Sequence, residues 1–182
     1  MMPTFPFASS PQLQHWILVD TLRVPNAMQK AYEHEALPEL RKLFQNSQFE
    51  YLLDQSPVLF NISANSSLLP ILTTSFAWRS SAVIFSVPNS TSIELLTEHL
   101  INLMTVNMLD KPMLFRCYNN AVWMQVANKL NAADINSLLG PAVGLSWVNE
   151  QGAIESLFRS PAMAELAATP YRLQSDIWHK WM

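Results

Sequence analysis

A chain of 182 residues with 49% hydrophobic side chains is long enough to bury a core without crosslinks, and its one cysteine, Cys117, allows no disulfide within the chain. The net charge of −3, with no cluster of lysine or arginine, argues against a nucleic-acid surface, because phosphate binding needs concentrated cations that release counterions. Charged residues are only 14% of the chain, against roughly 25% in ordinary soluble domains, so either serine and asparagine cover much of the exterior or apolar surface is left for a partner.

The first 12 residues read as an arm. Pro3, Pro6 and Pro11 interrupt it, and no basic stretch precedes an apolar run, so a signal peptide is not expected. No later run approaches the ~20 apolar residues of a membrane span. The expected setting is cytoplasmic, with no stable membrane insertion. Residues 15–20, HWILVD, then predict a buried strand with Asp20 at its C-terminal edge. Pro25 and Asn26 supply a stop and a cap for a helix with Met28, Ala31 and Tyr32 on its buried face, and Pro38 closes it. Residues 39–51 read as loop and turns. A second strand follows at 56–62. Ser67 caps a helix carrying Leu68, Leu69, Leu72 and Phe76, with Pro70 in the first turn, where its missing N–H is harmless. Residues 81–87, SAVIFSV, predict a strand covered on both faces.

Thr91 and Glu94 have capping-box spacing and open a helix with Ile93, Leu96, Leu100, Leu103 and Met104 on one stripe. His99 lies off that stripe, which predicts a surface or half-buried position. In the strand expected at 112–118, alternation sets Met113, Phe115 and Cys117 against Leu114, Arg116 and Tyr118. Cys117 reads as a small buried hydrophobe. Arg116 is the only charge in that run, and a buried guanidinium needs a carboxylate, for which Asp20 is the candidate. Asn119 or Asn120 caps a helix burying Trp123, Val126, Ala127 and Leu130. Asn131 caps another burying Ile135, Leu138 and Leu139, and Gly140 and Pro141 end it. Residues 142–148 and 153–159 predict a hairpin. Beyond Pro161 a short alanine-rich helix leads to a tail with Tyr171 and an aromatic face of Ile177, Trp178 and Trp181, which either docks on its own domain or receives a partner.

These elements predict a mixed α+β protein with a central mixed sheet flanked by helices. It comprises an arm (1–12), a main domain (13–160) and a small C-terminal helical segment (161–182). Catalytic chemistry finds little support. His15, His34, His99 and His179 are scattered, there is no H-E-x-x-H or G-x-S-x-G, and the three glycines, Gly140, Gly144 and Gly152, are too few for a nucleotide loop. A Ser-His-Asp arrangement assembled in space is the remaining enzymatic route.

From Phe115-Arg116-Cys117-Tyr118, through the Trp123 helix, to Leu139-Gly140-Pro141 and Trp147, the chain resembles the effector-adaptor chaperones of bacterial type VI secretion, the Tap or Tec family. Agreement extends upstream to residues 17–20, to Ser56-Pro57-Val58-Leu59 and to His99-Leu100. The family's Asp-Pro after the tyrosine is replaced here by Asn119-Asn120, and the C-terminal lobe is shorter. The resemblance implies a non-enzymatic adaptor, without cofactor or metal, that binds a cognate secreted effector and helps load it onto the VgrG spike. It implies a scaffold motif of Asp20, Arg116, Tyr118, Gly140, Pro141 and Trp147; the candidate partner contacts, Tyr171, Ile177, Trp178 and Trp181, come from the tail beyond the resemblance. A cytoplasmic immunity protein and a small hydrolase are the alternatives.

Overall fold

The computed structural model describes residues 5–6, 8–161 and 165–182. Along the chain, β1 (Leu13–Val19) leads through α1 (Ala27–His34) and the short β2 (Leu40–Lys42) to a 3-10 turn (Glu50–Gln55) and β3 (Val58–Ile62). Then come α2 (Leu69–Thr74), α3 (Phe76–Ser81), β4 (Ala82–Pro88) and α4 (Ile93–Leu103). A hairpin of β5 (Thr105–Met108) and β6 (Lys111–Leu114) precedes α5 (Asn120–Val126) and α6 (Ala132–Leu139). The hairpin of β7 (Gly144–Val148) and β8 (Ile154–Phe158), then β9 (Arg172–Leu173) and a closing 3-10 turn (Asp176–Lys180), complete the fold.

The larger sheet has the order β2-β3-β1-β4-β7-β8 and every neighbouring pair in it is antiparallel. The protein is mixed α+β, as expected, and only the pairing within its central sheet differs, being antiparallel rather than mixed. The helical connection α2–α3 does carry the chain between two parallel strands, β3 and β4, but β1 lies between them and pairs antiparallel with both. Mixed pairing is confined to a second, three-stranded sheet, β6-β5-β9, in which β9 runs parallel to β5.

Alternation along each strand divides the core in two. Trp16, Leu18, Leu59, Val83, Phe85, Leu145 and Trp147 point to a larger cluster under α4, α5 and α6. Ile17, Val19, Phe60, Ile62 and Ile84 point to a smaller one under α1, α2 and α3. Both faces of β4 are thus covered, as its unbroken apolar run predicts.

Several local expectations change. On α1 the buried residues are Ala27 and Ala31, small enough for close packing on the sheet, while Met28 and Tyr32 turn outward. The chain breaks at Ser75 (φ −84°, ψ 120°), so α2 stops before Phe76, which lies exposed with the Arg79 guanidinium 5.9 Å from its ring centre. β2 went unrecognised because an edge strand reading Leu-Arg-Lys has no apolar alternation. The cap of α4 is Ser92, whose Oγ accepts from the Leu95 N–H at 3.2 Å, one residue later than the capping box predicts; the Thr91 carbonyl instead accepts from Gln14. In the arm, Phe5 is buried edge-on against His15, with ring centres 4.6 Å apart, so the arm is anchored on the domain at that residue. Of the alanine-rich helix expected from Pro161, residues 162–164 lie outside the described residues, and residues 165–168 are not helical. Among the described residues no helix is long and apolar enough to cross a membrane.

Candidate functional site

The Phe-Arg-Cys-Tyr segment leaves the strand sooner than alternation predicts. β6 ends at Leu114, the Phe115 N–H still bonds the Met104 carbonyl at 3.0 Å, and a turn then closes from the Asn119 N–H to the Arg116 carbonyl at 3.1 Å. Arg116 keeps the side that alternation gives it, with exposed Leu114 and opposite buried Phe115 and Cys117, and that side faces solvent. The expected buried Asp20–Arg116 pair is therefore absent: no ion pair joins them among the described residues, and Asp20 accepts from the Leu22 N–H at 2.9 Å. With its charge in water, Arg116 incurs no desolvation penalty and needs no carboxylate. The two residues still share a neighbourhood through buried Tyr118, whose phenol is pushed up by burial and by the Asp20 charge, against the opposing influence of Arg116. Asn119 caps α5 through the Ala121 N–H at 3.1 Å, and Asn120 reaches the Val148 carbonyl at 2.8 Å, tying the start of α5 to the end of β7. Cys117 is buried and its thiol is pushed up to about 12, so it is inert as a nucleophile at neutral pH.

Trp147 is buried and stacks on Trp123, with ring centres 6.1 Å apart and an interplanar angle of 29°. Trp123 meets Phe115 edge-on at 6.0 Å, Phe115 meets Trp178 edge-on at 6.0 Å, and Trp178 meets Trp181 at 6.1 Å. Each such contact contributes roughly 0.5–1.5 kcal/mol beyond area burial. Tyr171, Ile177 and Trp178 are consequently core residues, and only Trp181 of the proposed partner contacts is partly open to solvent. Of the two roles open to the tail, the structure shows it docked on its own domain, with Tyr171, Ile177 and Trp178 withdrawn into the core.

Polar groups that the sequence reading missed hold this tail. Asp134, fully buried, accepts from the Gln174 N–H (2.9 Å), the Ser175 N–H (2.9 Å) and the Trp178 indole (2.6 Å). The only sequence signal was Asn131-x-x-Asp134, which reads as an ordinary helix start. His99, expected near the surface, is also buried. Since a carbonyl only accepts, its Nε2 carries the proton toward the Leu138 carbonyl (3.2 Å), and its Nδ1 accepts from the Tyr171 hydroxyl (2.8 Å). Burial lowers its pKa to about 4. Gly140, at φ +52°, ends α6 directly beside the His99 ring, with Pro141 half-buried next to it. Arg159 donates to Asn136 Oδ1 and to the carbonyls of Gly140 and Ala142, satisfying acceptors at and beyond the end of α6.

Two serine–histidine contacts bear on the hydrolase alternative. His15 Nδ1 lies 3.0 Å from Ser86 Oγ, but Ser86 is fully buried; His34 Nδ1 lies 2.8 Å from Ser67 Oγ on the surface. Neither histidine bonds a carboxylate among the described residues, so neither contact completes a triad. A different feature is an open cleft of about 610 Å³ between β2 with its following turn and the flank of α4. Leu40, Arg41, Lys42, Glu94, Glu98 and Ile101 are among the residues lining it.

A domain of unknown function, DUF4123, matches residues 15–137, from β1 into α6 and more than half of the chain. The chain belongs to the DUF4123 family. The DUF4123 match includes Asp20, Arg116 and Tyr118, whereas Gly140, Pro141, Trp147 and the docked tail lie beyond its end. No curated protein and no solved structure matches the chain.

Proposed function

We propose that this DUF4123 protein is a non-enzymatic cytoplasmic adaptor chaperone of bacterial type VI secretion, which binds a cognate effector and helps load it onto the VgrG spike. The observation that carries this reading is that the family match at residues 15–137 falls on most of the stretch whose ordered motifs resemble such adaptors. The architecture supports it. Buried polar groups are engaged in holding the tail, while the open cleft between β2 and α4 suits a polypeptide segment. With Tyr171, Ile177 and Trp178 in the core, the partner surface belongs on this outer face rather than on the tail.

The test is genetic and biochemical. Tagged protein purified from its own cells is expected to bring down both an effector and VgrG, and deletion of its gene is expected to stop delivery of that effector. Recovery of neither protein overturns the reading. Intact delivery combined with newly sensitive sibling cells identifies an immunity protein instead.

A further inference from the structure

We infer that the cleft between β2 and α4 is the seat of an extended partner segment carrying lysine or arginine at alternate positions; this deepens, and rests on, the adaptor reading. β2 is an edge strand of the larger sheet. The bonds from the Leu43 N–H to the Pro57 carbonyl and from the Asn61 N–H to the Glu39 carbonyl fix the phase of its ladder with β3. In such a ladder alternate residues point their amide groups outward, and on β2 these are Leu40 and Lys42. Their carbonyls are already engaged, by the Arg41 guanidinium at 3.1 Å and by the Gln45 N–H at 3.2 Å. Among the described residues their N–H groups have no acceptor, which leaves them to donate to an incoming main chain.

The side chains set the charge of that segment. Arg41 pairs with Leu59, whose side chain belongs to the cluster beneath α4, so Arg41 projects toward the α4 side, where Glu39 neutralises it at 2.9 Å; Lys42 pairs with Val58 of the opposite cluster, so its side chain is directed away from α4. Across the cleft, Glu94 and Glu98 are exposed and four residues apart on one flank of α4, and neither has an ion-pair partner among the described residues. Their spacing on the helix, ~6 Å, is close to the ~7 Å between alternate side chains of a strand. Two cations of one extended segment can therefore meet the two carboxylates, while partly buried Ile101 adds an apolar side chain to the lining.

The probe is a labelled, end-blocked peptide alternating lysine and valine, with a glutamate–valine peptide of the same length as control, followed by fluorescence anisotropy against the full chain. The lysine peptide is expected to bind, to weaken with added salt, and to bind about tenfold less well to a Glu94→Gln, Glu98→Gln variant, as fits the loss of two rim ion pairs. A Glu94→Lys, Glu98→Lys variant is expected to prefer the glutamate peptide, and Glu150→Gln to change nothing. Equal binding of the two peptides, or lysine-peptide binding indifferent to the α4 substitutions, overturns the assignment. Effector recovery separates the two readings: if the glutamine variant still brings down effector and VgrG undiminished, the cleft assignment fails and the adaptor reading stands.

Discussion

Trp178, in the closing 3-10 turn, donates its indole N–H to Oδ2 of Asp134 at 2.6 Å, and both side chains are wholly withdrawn from solvent. The same carboxylate receives the N–H groups of Gln174 and Ser175. One aspartate thus fixes both the backbone and the main aromatic anchor of the tail. Asp134→Ala strands two buried donors, the Ser175 N–H and the Trp178 indole, together with the part-buried Gln174 N–H, and is expected to cost about 3 kcal/mol in urea unfolding. Trp178→Phe, which keeps a ring but removes one donor and some volume, is expected to cost less than Asp134→Ala.

Gly140 permits the closest approach in this region. A Cβ there would lie 2.2 Å from His99 Nδ1, and the backbone sits at φ +52°. Gly140→Ala therefore meets both strain and collision, and a loss of roughly 3 kcal/mol is expected from thermal melts. Gly152→Ala, at φ +79° but with its nearest neighbour, the Thr73 carbonyl, at 3.1 Å, is expected to cost about 1 kcal/mol.

Stability is expected to fall on acidification through His99. Burial lowers its pKa to about 4, so below its ordinary 6.5 the unfolded chain takes up a proton that the folded chain does not. The contribution is fully present above pH 6.5 and is lost progressively toward pH 4, amounting to roughly 3 kcal/mol for this group. His15, also lowered by burial to about 4, acts in the same direction. Denaturant titrations between pH 7 and 4 test this, and His99→Gln is expected to show a shallower pH slope than the parent.

The two arginines near the motif are expected to behave oppositely. Arg116→Ala removes an exposed side chain and is expected to change stability by less than about 0.5 kcal/mol. Arg159→Ala releases Asn136 Oδ1 and the Gly140 and Ala142 carbonyls together, and about 2 kcal/mol is expected in chemical denaturation. Equal effects from the two substitutions would contradict this account of the α6 terminus.

Where a signal is local, the sequence decided the outcome. Asn119 and Asn131 cap α5 and α6, Gly140 with Pro141 ends α6, and the strands of the larger sheet other than β2 fall where apolar runs predict them. Capping, left-handed backbone and period-two burial depend on a few neighbouring residues and are legible in their order. What the tertiary structure alone decided is which side chains lose water and what they meet. Arg116 is exposed because the side it shares with Leu114 is left uncovered, and Met28 gives way to Ala27 because α1 packs closely on the sheet. His99 and Asp134 are buried where the tail, 72 and 44 residues further on, supplies their partners, Tyr171 and Trp178. Desolvation is a property of the assembled neighbourhood, so no spacing along the chain encodes it; the same holds for the cleft, whose two walls, β2 and α4, are far apart in sequence and adjacent only in the fold.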